Sequence, residues 1–178
     1  RDGFGEACKI EHRIDGHGHA CRELGAQAVS LAQDHLTLAH DAKIKEWGFD
    51  GIEFPVLDTA NFPAAAIRKE LERVGLEATG VTVVPGGMHL GSSDAAVRTD
   101  TQEHLKTCMR LTAEAGSKLL SGPMYSPVGH LTGVRRTADE WKWAVEGWQA
   151  LAPAAKDAGV EIGIEPLNRF ETYFLNTA

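Results

Sequence analysis

The feature of this sequence that most limits its fold is a fourfold repeat: an amphipathic segment ends, a glycine follows, and a short apolar run begins. The glycines are Gly48, Gly75, Gly116 and Gly159. Glycine just past a helix end is typical of the left-handed C-cap, because it adopts positive φ without a steric penalty. The runs at 51–56, 78–84, 118–122 and 160–165 are mostly apolar on consecutive residues, as strands covered on both faces are. The repeat therefore predicts helices and strands that alternate in a parallel sheet.

Start signals precede three of the predicted helices. They are a capping box at Thr137 and Glu140, an opening at Asn61 and Pro63, and a cap at Ser93 or Asp94. Pro153 is expected to kink the helix that follows Thr137. A further helix is predicted from about Asp34 to Trp47. Residues 1–33 hold scattered glycines and charges without a sustained period, and 27–32 is the best strand candidate among them.

Two architectures fit this alternation, a part of a closed (β/α)8 barrel or an open doubly wound sheet. No G-x-G-x-x-G fingerprint follows any of the strands, which weakens the nucleotide-binding open sheet. The chain has 178 residues, whereas a complete barrel needs roughly 200 to 250. The chain is therefore short for a complete barrel.

Composition narrows the class of protein and of partner. The chain is 43% hydrophobic and carries a net charge of -7, which suits one globular core and argues against nucleic acid as a partner. No apolar run approaches membrane-spanning length, so no membrane is expected as a partner. Three cysteines at irregular spacing suit a reducing compartment, and we expect a cytoplasmic protein.

One group of cysteine and histidine residues and one lone cysteine are further candidates for chemistry. The first comprises Cys8, His12, His17, His19 and Cys21. Its spacing departs from the paired ligands of zinc sites, so an atypical terminal segment without metal is the preferred interpretation. Cys108 falls on the apolar face of a predicted helix and is most simply a core residue.

Glu165 is the strongest candidate for chemistry. It ends the apolar run at 160–165, and the carboxyl end of a barrel strand is where active sites lie. A carboxylate there needs a metal, a cation or hydrogen bonds, so a structural ion pair with Arg169 remains the alternative. Glu171 could reach the same barrel mouth, or be a solvated loop charge or a helix-start residue. Glu53 also lies in a strand, and the preferred interpretation is that its carboxylate pairs with a neighbouring basic residue.

The segment 121–133 is a long loop rich in glycine and proline that carries Tyr125 and His130. It follows the third run and would face the same mouth as Glu165. Gly122 would let a ligand approach the backbone closely. Loops of this length are often functional, and a plain surface excursion is the alternative.

Residues 164–177 closely resemble the fifth-strand motif of the D-tagatose 3-epimerase/D-psicose (allulose) 3-epimerase group, ketose 3-epimerases of the xylose-isomerase-like TIM-barrel superfamily. Residues 48–53 and 122–129 are similar to the second- and fourth-strand segments of that group. The resemblance implies an α/β fold that is a partial (β/α)8 TIM barrel. Residues 34–178 would form its N-terminal half, with strands two to five clear, strand one uncertain and strands six to eight absent. Residues 1–33 would be an atypical segment, either disordered or not homologous to the family.

The resemblance also implies a reaction and a cofactor. The family epimerises a ketose at C3 through an enediolate, using a divalent metal that is commonly Mn²⁺, with Mg²⁺ or Co²⁺ as alternatives. Its ligands are Glu, Asp, His and Glu from strands five to eight. Glu165 matches the first ligand, which is also a catalytic acid/base. Glu171 matches a contact to a substrate hydroxyl, and Gly122 lies in a segment that borders the sugar. A full-length form would be a homo-oligomer.

The chain departs from the family where strands six to eight, three metal ligands and the second carboxylate would be. We therefore expect this polypeptide to be inactive alone. The alternatives are another enzyme of the superfamily, such as an aldose–ketose isomerase or an inosose dehydratase, and a non-catalytic half barrel. A zinc AP-endonuclease-like barrel fits poorly, because the acidic chain offers no basic loop for DNA.

Overall fold

A computed structural model describes residues 41–177 of the chain, with side chains from Lys43 onward. The atypical segment 1–33, the strand candidate at 27–32 and the group of Cys8, His12, His17, His19 and Cys21 lie outside the described residues. The start of the helix predicted at Asp34 lies outside them as well. Those expectations stay predictions.

Four helices and four strands alternate along the described chain. They are α1 (Asp41–Glu46), β1 (Gly51–Pro55), α2 (Ala64–Val74), β2 (Glu77–Val81), α3 (Ala95–Glu114), β3 (Leu119–Gly122), α4 (Ala138–Ala158) and β4 (Glu161–Ile164). All four glycines of the repeat have positive φ, between 68° and 93°. The alternation and the left-handed glycines are therefore confirmed.

The helix starts follow the sequence with one exception. The capping box of Thr137 and Glu140 is present, and Asp94 caps α3 by accepting from the backbone N–H of Ala96. Asn61 is not a cap: α2 begins directly after Pro63 without a side-chain cap. The Asn61 amide instead donates to the Asp58 carboxylate at 2.8 Å, because that turn offers a nearer partner than the helix. The prediction for Asn61 was wrong.

Pro153 lies inside α4, which continues as one helix to Ala158. The proline therefore does not end the helix, although it removes one backbone donor. Cys108 is fully buried as expected, and burial raises the pKa of its thiol to about 11. A thiol held in its neutral form at physiological pH is a core group rather than a nucleophile. Within residues 41–177, no helix is long and apolar enough to cross a membrane.

The four strands form one parallel sheet in the order β1-β2-β3-β4. In a doubly wound sheet the strand order reverses at a switch point, where the ligand binds. Here each strand is added on the same side of its predecessor, as in a barrel. The open doubly wound alternative is therefore not observed, and the α/β partial-barrel prediction is confirmed.

The two faces of the sheet differ sharply in burial. Phe54 and Leu120 face the helices and are almost completely buried. Side chains alternate between faces along a strand, so Glu53, Thr79 and Ser121 lie on the opposite face. These residues are half-buried or exposed. In a closed barrel this polar face is the one that would line the interior.

Candidate active site

The carboxyl ends of all four strands lie at one edge of the sheet, because the strands are parallel. Two loops meet there, the β3 loop (residues 123–130) and the β4 loop (residues 165–176). Several hydrogen bonds join them. The backbone N–H of Glu165 donates to the carbonyl of Gly122 at 3.0 Å, and that of Gly129 donates to the carbonyl of Glu171 at 2.7 Å. The two loops form a single surface at this edge, which we call the mouth.

Glu165 is the first residue after β4 and lies at this mouth, as its position in the sequence predicted. Its side chain is exposed. Among residues 43–177, no ion pair or side-chain hydrogen bond involves its carboxylate, so the expected alternative of an ion pair with Arg169 is wrong. A carboxylate that the described structure leaves unpaired is available to a ligand.

Glu53 is the residue whose surroundings the sequence misjudged. None of the ion pairs among the described residues includes it, so the preferred role as partner of a basic residue is wrong. Its carboxylate accepts from the Ser121 hydroxyl at 3.3 Å, across 68 residues of sequence. The pKa of Glu53 is raised, mainly because the carboxylate is partly desolvated and also because the Glu165 carboxylate is near. Hydrogen bonds from Ser121 and Thr79 offset part of this rise. The Glu53 carboxylate on the inner face and the Glu165 carboxylate at the mouth are therefore close enough to repel each other.

Gly122 lies where β3 ends and the β3 loop begins, with φ of 127°. A Cβ atom at this position would stand 2.0 Å from the carbonyl oxygen of Thr82. Thr82, the residue after β2, is thus packed directly against the backbone of β3. This close approach gives a structural reason for glycine, whereas the contact between Gly122 and a sugar stays a prediction.

Glu171 lies at the tip of the β4 loop and is exposed. The Asn168 amide donates to its carboxylate, and its own backbone N–H donates to the Asn168 carbonyl at 3.0 Å. No helix begins here within the described residues, so the helix-start interpretation is wrong. Its role toward a substrate hydroxyl stays a prediction.

Tyr125 and His130 were both marked as candidates in the β3 loop, and they have different surroundings. Only 2% of Tyr125 is exposed, so it does not present its ring to the mouth. Its single O–H proton is shared between the backbone carbonyls of Glu165 at 3.1 Å and Leu175 at 3.2 Å. Burial raises the pKa of this hydroxyl, which therefore remains a donor. His130 is exposed, and its ring lies 5.8 Å from the ring of His89.

A partly buried hydrogen-bonded network that sequence reasoning missed joins α4 to the β4 loop and to the segment that follows β2. The backbone N–H of Gly91 donates to His89 Nδ1 at 2.7 Å, which leaves His89 Nε2 to donate to the Tyr173 hydroxyl at 3.1 Å. Tyr173 in turn donates to Glu140 at 2.6 Å. Burial raises the pKa of Tyr173. The one sequence signal was Glu140, whose carboxylate was already assigned to the capping box.

The buried position of His89 in this network predicts that the stability of the protein depends on pH. Desolvation, followed by the His130 charge, lowers the pKa of His89 to about 4. Because the unfolded state binds a proton near pH 6.5 and the folded state only near pH 4, stability is lost as the pH falls through that window. We expect a loss on the order of 3 kcal/mol from this group. Urea unfolding at several pH values should show this loss in the wild type and not in His89→Asn. Parallel curves for the two proteins would contradict the assignment.

A cavity of about 390 Å³ lies on the helix side of β4, and buried residues of the two loops, Tyr125 and Phe174, form part of its wall. Its lining is apolar and includes Trp141, Trp148, Ile164 and Phe174, without any carboxylate. It therefore lacks the groups that acid–base chemistry or metal binding requires. The polar mouth, and not this cavity, is the candidate active site.

The donor atoms at the mouth suit one part of a divalent metal site. Carboxylate oxygens such as those of Glu165 are the ligands that Mn²⁺ and Mg²⁺ prefer. Across residues 43–177, no three His, Cys, Asp or Glu side chains converge to hold an ion. Glu165 therefore fits as one ligand, and the described residues alone do not complete a ligand set.

Comparison with known proteins gives a consistent family. Residues 42–178 match the family model described as xylose isomerase-like TIM barrel. The chain is 34% identical over 153 residues to an L-ribulose 3-epimerase of Mesorhizobium japonicum, covering 85% of this chain and 50% of that protein. It is 30% identical to a D-psicose 3-epimerase of Agrobacterium fabrum, covering 76% of this chain and 48% of that protein.

Solved structures agree with the sequence relatives. A D-allulose 3-epimerase from Methylomonas sp. superposes with a TM-score of 0.72 at 26% identity, covering 79% of this chain and 50% of that one. An L-ribulose 3-epimerase superposes with a TM-score of 0.69 at 30% identity, covering 83% and 48%. The chain spans about half the length of the curated relatives it matches. On its fold, its sequence and these relatives, the chain belongs to the xylose isomerase-like TIM barrel family.

Proposed function

We propose that this chain supplies the Glu165-bearing half of a metal-dependent ketose 3-epimerase. The observation that carries the proposal is the unpaired carboxylate of Glu165 at the mouth of a partial barrel, where Gly122 and the Tyr125 hydroxyl hold the backbone of this residue. Relatives that share this half are named ketose, psicose or ribulose 3-epimerases. Fold, position and chemistry therefore point to the same class of reaction.

The chemistry asked of Glu165 is proton transfer at carbon. The C3 proton of a ketose is acidic because it is α to the C2 carbonyl, and a positioned carboxylate can remove it. Glu165 would take the proton on one face of the sugar. Epimerisation then requires a proton to be returned to the opposite face, which needs a second acid on that side. When bound, a divalent metal would stabilise negative charge on the sugar oxygens.

The other mouth residues would bind and orient the sugar. The exposed carboxylate of Glu171 would accept a hydrogen bond from a substrate hydroxyl, and Asn168 already orients it. Gly122 would form part of the wall beside the sugar, while the space that its side chain would fill is taken by the carbonyl of Thr82. Glu53 lies below Glu165 on the inner face, and its charge would add to the affinity of the site for a cation.

We further propose that the 178-residue polypeptide does not turn over alone. Glu165 reaches one face of a sugar, and the described residues provide no closed set of metal ligands. We assign Mn²⁺ as the metal, with Mg²⁺ or Co²⁺ as substitutes, and a cytoplasmic homo-oligomer as the working form. The oxygen donor at the mouth supports the metal, and the odd number of cysteines supports the compartment.

Product analysis on the complete gene product tests the reaction. We expect incubation with a ketose and Mn²⁺ in D₂O to give the C3 epimer with deuterium at C3, as detected by NMR. An aldose would instead support an aldose–ketose isomerase, and loss of water would support a dehydratase. The same assay on the 178-residue polypeptide should show no product. Turnover with stoichiometric tight Mn²⁺ in this polypeptide would contradict the inactivity proposed for it.

A further inference from the structure

We propose that Tyr125 is a positioning residue, whose hydroxyl fixes the direction of the Glu165 side chain and closes the β4 loop. The inference rests on the proposed function for the identity of the reaction, but its geometry stands apart from that identity. Nothing about Tyr125 requires the residue to touch a sugar, because its ring is buried beneath the mouth.

Contacts from the β3 side hold both peptide groups that flank Glu165. The N–H of Glu165 itself donates to the carbonyl of Gly122 at 3.0 Å. The carbonyl of Glu165 accepts from the Tyr125 hydroxyl at 3.1 Å. Two fixed peptide planes determine φ and ψ of the residue between them, and hence the direction of its Cα–Cβ bond. Pro166 follows and has no N–H with which to replace the second contact.

The same hydroxyl also reaches the far end of the β4 loop. It lies 3.2 Å from the carbonyl of Leu175, which also accepts from the backbone N–H of Leu167 at 3.1 Å. Both ends of the β4 loop therefore contact the same buried hydroxyl. Glu171 lies between these two ends, so the position of both candidate carboxylates depends on the closure.

Tyr125 is itself held rigidly. Its ring stacks on that of Phe174, with centroids 5.4 Å apart and planes inclined by 21°. Its backbone carbonyl accepts from the N–H of Leu90 at 3.0 Å. If the ring served only to fill the core, phenylalanine would serve as well and would not bring a polar group into it. The hydroxyl is explained by the two carbonyls, which would otherwise lack this donor.

Tyr125→Phe removes only the hydroxyl and tests the inference on the chain itself. We expect amide hydrogen exchange, measured by NMR, to speed up roughly fivefold to tenfold at Glu165 and Leu167, as befits one lost hydrogen bond. The amide of Thr82, which donates to Ser121 within the sheet, is the internal reference and should not change. Uniform acceleration at all three amides would mean a general packing role and would overturn the inference, as would no change at any of them.

Tyr173→Phe is the matched control. It deletes a second, partly buried hydroxyl from the β4 loop, one that contacts His89 and Glu140 rather than the Glu165 carbonyl. We expect it to leave exchange at Glu165 unchanged. Incorporation of p-aminophenylalanine at position 125 restores a donor and should restore slow exchange. If Tyr173→Phe matches Tyr125→Phe at Glu165, or if the restored donor fails to slow exchange, Tyr125 has no special part.

The kinetic consequence is measured on the complete gene product. We expect Tyr125→Phe to lower kcat at least tenfold with KM within about twofold, because misplacing a catalytic group by a fraction of an ångström slows chemistry more than binding. Equal changes in kcat for Tyr125→Phe and Tyr173→Phe would overturn the positioning role. If the wild-type product shows no epimerase activity, the proposed function fails, and the exchange experiment still decides whether Tyr125 holds Glu165.

Discussion

We expect Glu165→Gln in the complete gene product to lower kcat for the proposed epimerisation at C3 by a factor of roughly 10² to 10⁴. Glutamine keeps the size of the side chain and its place after β4, but it cannot accept a proton at neutral pH. It is also a weaker ligand for a hard divalent cation than a carboxylate. The substitution therefore removes both roles proposed for this carboxylate. The measurement is the rate of deuterium incorporation at C3 together with the bound Mn²⁺ per chain.

Glu161→Gln is the matched control for this experiment. Glu161 is an exposed carboxylate at the start of the same strand, four residues before Glu165. Those four residues place it about 13 Å from the mouth. We expect it to leave both turnover and metal content unchanged. Normal turnover in Glu165→Gln would remove Glu165 from the chemistry, and equal losses in the two variants would show an effect of net charge instead.

Gly122→Ala should be the most destabilising single substitution at the mouth, costing roughly 3 to 5 kcal/mol in the free energy of unfolding. Its Cβ would stand 2.0 Å from the carbonyl oxygen of Thr82, in a backbone conformation that side chains rarely adopt. The obstacle is backbone in the neighbouring strand segment, which cannot rotate away. Urea unfolding of the variant, followed by circular dichroism, measures the loss.

Gly163→Ala provides the comparison within the same sheet. A Cβ there would meet the Cβ of Ser121 at 3.4 Å, which is ordinary contact, and the residue lacks a positive φ. We expect a change within about 1 kcal/mol, with stabilisation possible because alanine restricts the unfolded chain. A Gly122→Ala protein as stable as Gly163→Ala would mean that β3 does not approach Thr82 as closely as the structure shows.

Local features of the sequence were sufficient for the elements and their order. The four glycines and the pairing of Thr137 with Glu140 act over three or four residues, so their outcome can be read directly from the sequence. Asn61 shows the limit of such readings, since Asp58 offered a competing partner within the same turn. Local rules rank candidate caps, but they do not decide between two partners that both lie within a few residues.

The sequence predicted where the candidate site lies, but not the long-range contacts that hold its residues in place. Glu165 was placed correctly because a strand end is a local event. The contact of Tyr125 with Glu165 spans 40 residues, and that of Ser121 with Glu53 spans 68. Such contacts depend on the register between strands, which the apolar pattern of short buried strands does not specify. This is why Tyr125 was marked as a loop residue of the mouth, and Glu53 as a partner for a base.

The joining of the β3 and β4 loops limits how this region can be altered. Apart from the Tyr125 hydroxyl and a contact between Ser126 and Thr172, the bonds between the loops use backbone atoms. Backbone bonds accept almost any side chain but require a fixed number of residues between them. Substitutions in these loops should therefore be tolerated far better than insertions or deletions. A transplant intended to change sugar preference would need to move both loops together, at their present lengths and with Tyr125 retained.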